Sequence, residues 1–218
     1  MKKLIIAVLL LLPGWVMAKT SVVADNTLFA DVKTVKITFS GLITPNKSVA
    51  LQSILDEISQ RYVHAENIYL YLNSEGGNMD GALAMFYAIR STKLKIVTVN
   101  QAVIASAATI PYCAGRERGV MREAGFVIHP AQMERLEETN VTPSRLKTSQ
   151  DYLNVYNRMF RNIYRTCTDL NDEALKKPLE SDDTRLYLSS GDALQHKLAT
   201  RVEETMVSAP VSYFIADD

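Results

Sequence analysis

The fold is decided by one stretch, Asn67-Ile68-Tyr69-Leu70-Tyr71-Leu72-Asn73-Ser74-Glu75-Gly76-Gly77, in which a nearly continuous apolar run ends in a glycine-rich loop. Continuous apolar runs are typical of strands buried on both faces, and paired glycines mark a turn. Outward from this stretch, strands are predicted over 35–39, 94–99 and 125–128, and helices over 48–62, 79–91 and 105–113. Strands that alternate with helices predict an α/β fold with a largely parallel sheet.

A longer helix is predicted over about 142–166, where apolar residues recur at helical spacing in a broad stripe. The stripe is wider than a surface helix needs, so we expect part of it to pack against another subunit. A last helix is predicted over 192–198, and the tail 208–218 has no clear role. No internal repeat or linker interrupts residues 19–218, which we expect to form a single domain.

The first eighteen residues are typical of an export signal. Lys2 and Lys3 precede an apolar run over 4–12, and Val16-Met17-Ala18 has the small residues of a cleavage site. We therefore expect a mature chain from Lys19 in the periplasm or outside the cell. An uncleaved N-terminal anchor is the alternative.

Composition excludes some partners. The formal net charge is zero, with 24 basic and 24 acidic residues and no long run of one sign, which argues against a nucleic-acid partner. Cys113 and Cys167 lack the spacing of metal ligands, and no cofactor or metal site is predicted. In an oxidising compartment the two cysteines can form a disulfide, whereas two small buried hydrophobes are the other interpretation. The sequence leaves the pairing open.

Three segments end at the same edge of the predicted sheet. Ligands bind at the carboxyl ends of parallel strands, so Gly76-Gly77, Ser106 and His129 are expected to lie together there. Ser106 stands among small alanines that let a substrate carbonyl approach, and His129 is a candidate base. The backbone amides of Gly77 and Ala107 are candidates for an oxyanion hole. Each feature alone is commonly structural, but their joint occurrence favours an active site.

These residues carry a resemblance to the proteolytic subunit of the Clp protease, a caseinolytic serine peptidase family with a crotonase-like fold. Three stretches carry it, at 68–77, 101–115 and 126–130, and weaker similarity extends from about 35 to 200. The resemblance implies repeated ββα units with a long protruding helix. It also implies a homo-oligomer, with stacked rings that enclose the active sites.

The resemblance assigns roles by position. It makes Ser106 the nucleophile, His129 the base, and the amides of Gly77 and Ala107 the oxyanion hole. It further implies that a peptide substrate binds as an added strand. The substrate-binding residues that it implies are Gly76, Pro130 and Ala131.

The chain departs from the family pattern in four places. Glu75 replaces a proline beside the expected oxyanion hole, and Asn100 replaces a glycine. The segment from Gln101 to Ser106 is two residues longer than the family's. Arg185 stands where the family has the aspartate of its triad.

Counting from the preceding helix places the acid at Asp183, with Asp182 second and no acid at all third. The choice matters because loss of the acid costs about 10⁴ in turnover in a related triad. The sequence therefore favours a triad of Ser106, His129 and Asp183. We expect an exported, ATP-independent serine endopeptidase that cleaves unfolded proteins or peptides, without an ATP-driven unfoldase.

Three alternatives remain open. The displaced acid and Glu75 motivate the first, a catalytically impaired relative kept as an oligomeric scaffold or a peptide-binding protein. A crotonase-type acyl-thioester enzyme would need coenzyme A, which an exported protein does not meet. A Ser/Lys dyad would need Lys93 or Lys95 at a strand end that faces the site.

Overall fold

The computed structural model describes residues 19–24, 31–133 and 141–217. The signal predicted over 1–18 lies outside them. Within the described residues, nine strands form one sheet in the order β1-β9-β2-β3-β4-β5-β8, with β6 beside the end of β4 and β7 beside β6. The strands are β1 (Lys19–Ala24), β2 (Thr34–Ser40), β3 (Asn67–Ser74), β4 (Lys95–Ala105), β5 (Glu117–Met121), β6 (Gly125–Ile128), β7 (Leu186–Ser189), β8 (Arg201–Glu203) and β9 (Val211–Ala216).

Three of the described helices begin at capping residues that the sequence supplies. Thr44, Asn78 and Thr142 each accept a hydrogen bond from the amide three residues on, as N-cap residues do. None of the described helices is both long and apolar enough to span a bilayer. The helices are α1 (Pro45–Arg61), α2 (Met79–Ser91), α3 (Thr109–Ala114), α4 (Pro143–Cys167), α5 (Asp172–Lys176) and α6 (Ser190–Gln195).

The sheet is largely parallel, as predicted. β2, β3, β4, β5 and β8 run parallel to their neighbours, and only β1 on β9 and β7 on β6 are antiparallel. Alternate residues of β2 are buried under the helices, namely Val35, Ile37 and Phe39. The predicted α/β fold is confirmed, and α4 occupies the region where a long helix was expected.

The C-terminal tail has a role that the sequence did not reveal. β9 inserts between β1 and β2, and it buries Val211, Tyr213 and Ile215 in the core. Just beyond it, Asp217 forms an ion pair of 2.6 Å with the buried ammonium of Lys47, which also donates to the Ser40 carbonyl at 2.7 Å. The tail therefore forms an internal strand of the sheet.

β4 is longer than predicted and contains a bulge. Leu72 pairs with Asn100 but Ser74 pairs with Ile104, so β4 carries two extra residues between these points. Before the bulge β4 pairs with β5, and after it β4 pairs with β6. The extra length between Gln101 and Ser106 is thus absorbed inside the strand. A helix predicted from residue 105 begins instead at Thr109, after a short 3₁₀ turn.

Cys113 and Cys167 form a disulfide, which resolves the open question of their pairing. The bond joins α3, which follows the end of β4, to the last residue of α4. Both cysteines are almost fully buried. The guanidinium of Arg118 ties the same junction by donating to the carbonyls of Gly115 at 3.0 Å and Cys167 at 3.3 Å.

Loss of this disulfide is expected to destabilise the protein. The bond closes a loop with a sequence separation of 54 residues. Loop-closure entropy for that length corresponds to about 4 kcal/mol of unfolding free energy. At roughly 2–4 °C per kcal/mol, a Cys113→Ser, Cys167→Ser double variant is expected to melt about 8–16 °C lower by calorimetry.

The control is the same double variant with a reductant. Adding dithiothreitol should lower the melting temperature of the wild type toward that of the variant and leave the variant unchanged. Equal melting temperatures for the wild type and the variant would contradict the stabilising role.

Candidate active site

Ser106 stands at the carboxyl end of β4 in an uncommon backbone conformation. Its φ of 54° lies in the left-handed region, which residues other than glycine rarely adopt. The 3₁₀ turn Ser106–Ala108 follows immediately. Strained residues of this kind concentrate at functional sites, because only a tightly determined surrounding holds them there. The turn thus sets the half-buried Ser106 at the edge of the sheet.

Gly76 packs directly against this serine. A Cβ atom added to Gly76 would lie 2.7 Å from the Ser106 Cβ and 3.0 Å from the Ala107 nitrogen. Its φ of 107° also favours glycine. The loop after β3 can therefore touch the serine only because residue 76 has no side chain.

The segments that carry the two predicted oxyanion amides meet at Gly76, whose added Cβ atom would lie 3.0 Å from the Ala107 nitrogen. The Ile43 amide donates to the Gly76 carbonyl at 2.7 Å, and the Asn78 amide donates to the Ile43 carbonyl at 2.9 Å. This bridge does not use the Gly77 amide. The Ala107 amide lies in the first turn of a 3₁₀ helix, where amides have no acceptor within the helix. The Ala107 amide, beside Gly76 and next to Ser106 in the chain, is therefore a candidate donor.

His129 follows β6, the strand next to the end of β4. Ala105 pairs with Val127 in parallel register, so Ser106 and His129 leave neighbouring strands at the same edge. The imidazole is 11% exposed. Its Nδ1 lies 2.8 Å from the carbonyl oxygen of Pro130. The strand ends that carry Ser106 and His129 are thus adjacent.

An aspartate lies beyond the imidazole. The Oδ1 atom of Asp182 is 3.7 Å from His129 Nδ1. Gln132 Nε2 donates to both carboxylate oxygens at 2.9 Å, and Arg185 donates to Oδ1 at 2.9 and 3.2 Å. The hydrogen bond from Gln132, followed by Arg185 and the charge of His129, holds the pKa of Asp182 below its usual range. The carboxylate is therefore ionised at neutral pH.

The candidate acid moves from Asp183 to Asp182. Both residues lie in the 3₁₀ turn Asp182–Thr184, where successive side chains point about 120° apart, so only one can face the imidazole. The Asp183 amide donates to the Ser181 hydroxyl at 3.2 Å, and its carboxylate is exposed. Counting residues from the preceding helix could not show which of the two aspartates faces the imidazole. Arg185, at the expected position of the acid, instead binds Asp182.

Helix α4 contacts both segments that border the site. Asn157 accepts a hydrogen bond of 2.7 Å from the Ala131 amide, and the Tyr156 hydroxyl donates to Asp80 at 2.5 Å. Asp80 is in the first turn of α2, just after the Gly76-Gly77 loop. No feature of the sequence indicated that α4 would hold these segments.

A groove of about 730 Å³ runs beside the site. Of the predicted substrate-binding residues, Gly76, Pro130 and Ala131 are all buried, and the Ala131 amide is already bonded to Asn157. The groove is lined instead by the residues that follow them in the chain, which are Gly77 after Gly76 and Gln132 and Met133 after Ala131. Its lining includes Ile43, Gly77, Met79, Gln132, Met133 and Tyr152.

Glu75 is not one of the residues that line this groove. It borders a separate cavity of about 290 Å³ together with Leu42, Asn73 and Asp217. The residue is exposed, so water and salt screen its charge from the oxyanion amides.

Comparisons with known proteins identify one family. A family model described as Clp protease matches residues 32–206. The "ATP-dependent Clp protease proteolytic subunit 2" of Borreliella burgdorferi is 25% identical over 190 residues, which cover 84% of this chain and 90% of the relative. The corresponding subunit 3 of a Synechococcus strain is 27% identical over 141 residues, covering 62% of this chain and 66% of the relative.

A solved structure shows the same fold. A mutant ClpP1 from Listeria monocytogenes superposes with a TM-score of 0.64 at 17% sequence identity. The match covers 80% of this chain and 93% of that one.

Replacement of Gly76 by alanine is expected to disable the site. The new Cβ would press on Ser106 and the Ala107 amide, which misplaces an oxyanion donor. Loss of one such donor costs about 10²–10³ in rate. The rate at which a fluorophosphonate labels Ser106 should therefore fall about 100-fold or more.

Gly191→Ala is the matched control. A Cβ at Gly191 meets only the Ser189 hydroxyl at 3.7 Å, an ordinary contact, so labelling should match the wild type. A Gly76→Ala protein that is folded and labelled at the wild-type rate would show that Gly76 does not organise the site.

Proposed function

Because the chain belongs to the Clp protease family, we propose that it is a serine endopeptidase in which Ser106 is the nucleophile and His129 the base. The observation that carries the proposal is the strained Ser106, packed on Gly76 at a strand end beside that of His129. Small residues flank the serine, and the Ala107 amide beside Gly76 is a candidate oxyanion donor. This is what acyl transfer requires.

In the proposed reaction a peptide carbonyl lies against the amides of Gly77 and Ala107. His129 takes the Ser106 proton as the hydroxyl attacks, and the two amides stabilise the tetrahedral oxyanion. The imidazolium then protonates the leaving amine. Water, activated by the same imidazole, hydrolyses the acyl-enzyme and restores the serine. Asp182 is the carboxylate that we place beside this base, 3.7 Å from its Nδ1 atom.

The substrate class that we propose is an unfolded protein or short peptide bound in extended form. Exposed residues that line the groove include Gly77 from the loop after β3 and Gln132 and Met133 from the segment after His129. Backbone hydrogen bonds to an added strand tolerate many sequences, and a strand must be unfolded to enter.

We also propose that the mature enzyme works outside the cytoplasm and needs no ATP-driven unfoldase. Two features support export. The signal-like sequence over 1–18 is one, and the disulfide between Cys113 and Cys167 is the other, since structural disulfides persist in oxidising compartments. Without ATP the enzyme depends on substrates that are already accessible.

The first alternative, a scaffold or peptide-binding protein without turnover, rests on one distance. The 3.7 Å between Asp182 and His129 exceeds a hydrogen bond, so the acid does not contact the base directly. The Ser/Lys dyad has no such support. Lys95 opens β4, ten residues before its end at Ala105, and it pairs with Glu117 at 2.5 Å.

Hydrolysis of unfolded casein by the mature protein tests the proposal. We expect cleavage together with fluorophosphonate labelling of Ser106, and we expect Ser106→Ala and His129→Ala variants to lose both. The Arg165→Ala variant is the control, because that exposed arginine pairs with Asp172 and Asn162, away from the site. Casein cleavage that persists in Ser106→Ala would refute the assignment, and absence of cleavage in the wild type would favour the scaffold.

We propose in addition that the protein is a homo-oligomer, with stacked rings as in the resemblance. Leu146, Tyr152 and Val155 on α4 are each about half exposed, so much apolar surface of this helix is open to solvent in one subunit. Light scattering of the mature protein should give a mass several times that of one chain. A Leu146→Glu, Val155→Glu variant should shift toward the monomer, and a monomeric wild type would contradict this proposal.

A further inference from the structure

The hydrogen bond between His129 and Pro130 selects the tautomer of the neutral imidazole. A carbonyl oxygen only accepts hydrogen bonds, so at 2.8 Å the Nδ1 atom must carry the proton. In the neutral ring Nε2 is then the unprotonated nitrogen, the form that a base needs. The backbone therefore selects the active tautomer.

Asp182 does not take part in this selection. Its nearest oxygen is 3.7 Å from Nδ1, and that oxygen already accepts hydrogen bonds from Gln132 and Arg185. Its side chain is 46% exposed, so solvent weakens its attraction for the imidazolium. Asp182 supplies a screened negative charge and no orientation.

The peptide unit that orients the imidazole is held at its other end. The carbonyl belongs to Pro130, and the next amide, that of Ala131, donates to Asn157 at 2.7 Å. Pro130 and Ala131 are buried. One planar peptide thus links the base to a side chain of α4, and hydrogen bonds in such a chain strengthen one another.

Resting on the peptidase function proposed above, we propose that the Pro130 carbonyl replaces the triad acid as the group that orients His129. In this arrangement Asn157 is a positioning residue, because it acts on the base through the Pro130–Ala131 peptide. The displacement of the acid to Asp182 is then tolerated. A direct hydrogen bond from acid to base is no longer needed.

Two substitutions separate this arrangement from an ordinary triad. Asp182→Asn is expected to lower kcat by about tenfold, since exposed ion pairs contribute little. Where the acid itself sets the tautomer, the same change costs about 10⁴. Asn157→Ala is expected to lower kcat about tenfold at unchanged KM, whereas Asn157→Asp keeps the acceptor and should restore it.

The measurement is steady-state hydrolysis of a fluorogenic peptide by the full mature protein. Asn154→Ala, one turn earlier on the exposed face of α4, is the matched control and should leave kcat unchanged. Melting temperatures show whether each variant is folded.

The outcomes distinguish the two proposals. A loss near 10⁴ for Asp182→Asn, or a folded Asn157→Ala with wild-type kcat, overturns the orienting role of Pro130 while the peptidase function stands. A change in KM alone for Asn157→Ala also overturns it. A wild type with neither peptide hydrolysis nor Ser106 labelling refutes the peptidase function itself.

Discussion

The site depends on a bulge that lets β4 serve two partners. Up to Asn100 the strand pairs with β5, and from Val103 it pairs with β6. The side-chain amide of Asn100 donates to the Gly125 carbonyl at 2.8 Å, which ties the change of partner to the first residue of β6. Only through this change do Ser106 and His129 leave neighbouring strands. Two departures from the family pattern, Asn100 in place of glycine and the longer segment from Gln101 to Ser106, thus belong to one structural feature.

The size of the bulge explains why the core tolerates it. Side chains alternate between the two faces of a strand with a period of two, so an insertion of one residue would turn the following residues over. Two extra residues keep the alternation, and Ile104 remains buried opposite Ser74. The strained Ser106 follows two residues later. Its geometry is then held by Gly76 on one side and by α3, anchored through the disulfide, on the other.

The sequence predicted the parts of the site that lie within strong patterns. The apolar run before Gly76-Gly77 and the strand before His129 are recognisable from a few neighbouring residues. The sheet edge could therefore be predicted, together with the three segments that end there, at Gly76-Gly77, Ser106 and His129. Asp182 could not be chosen over Asp183, because a 3₁₀ turn sets their directions. The contact of Asn157 with Ala131 joins residues 26 positions apart and leaves no periodic trace. β9 was not predicted, because its apolar and polar residues alternate over only a few positions and two aspartates follow.

The central claim is that Ser106 attacks a carbonyl held by the amides of Gly77 and Ala107. A crystal structure of the mature protein treated with a phosphonate inhibitor tests it most directly. The account predicts phosphorus bonded to Ser106 Oγ, with one phosphonyl oxygen about 2.7–3.1 Å from both amide nitrogens. An adduct whose oxygen points away from these amides, or an unmodified Ser106, would contradict it.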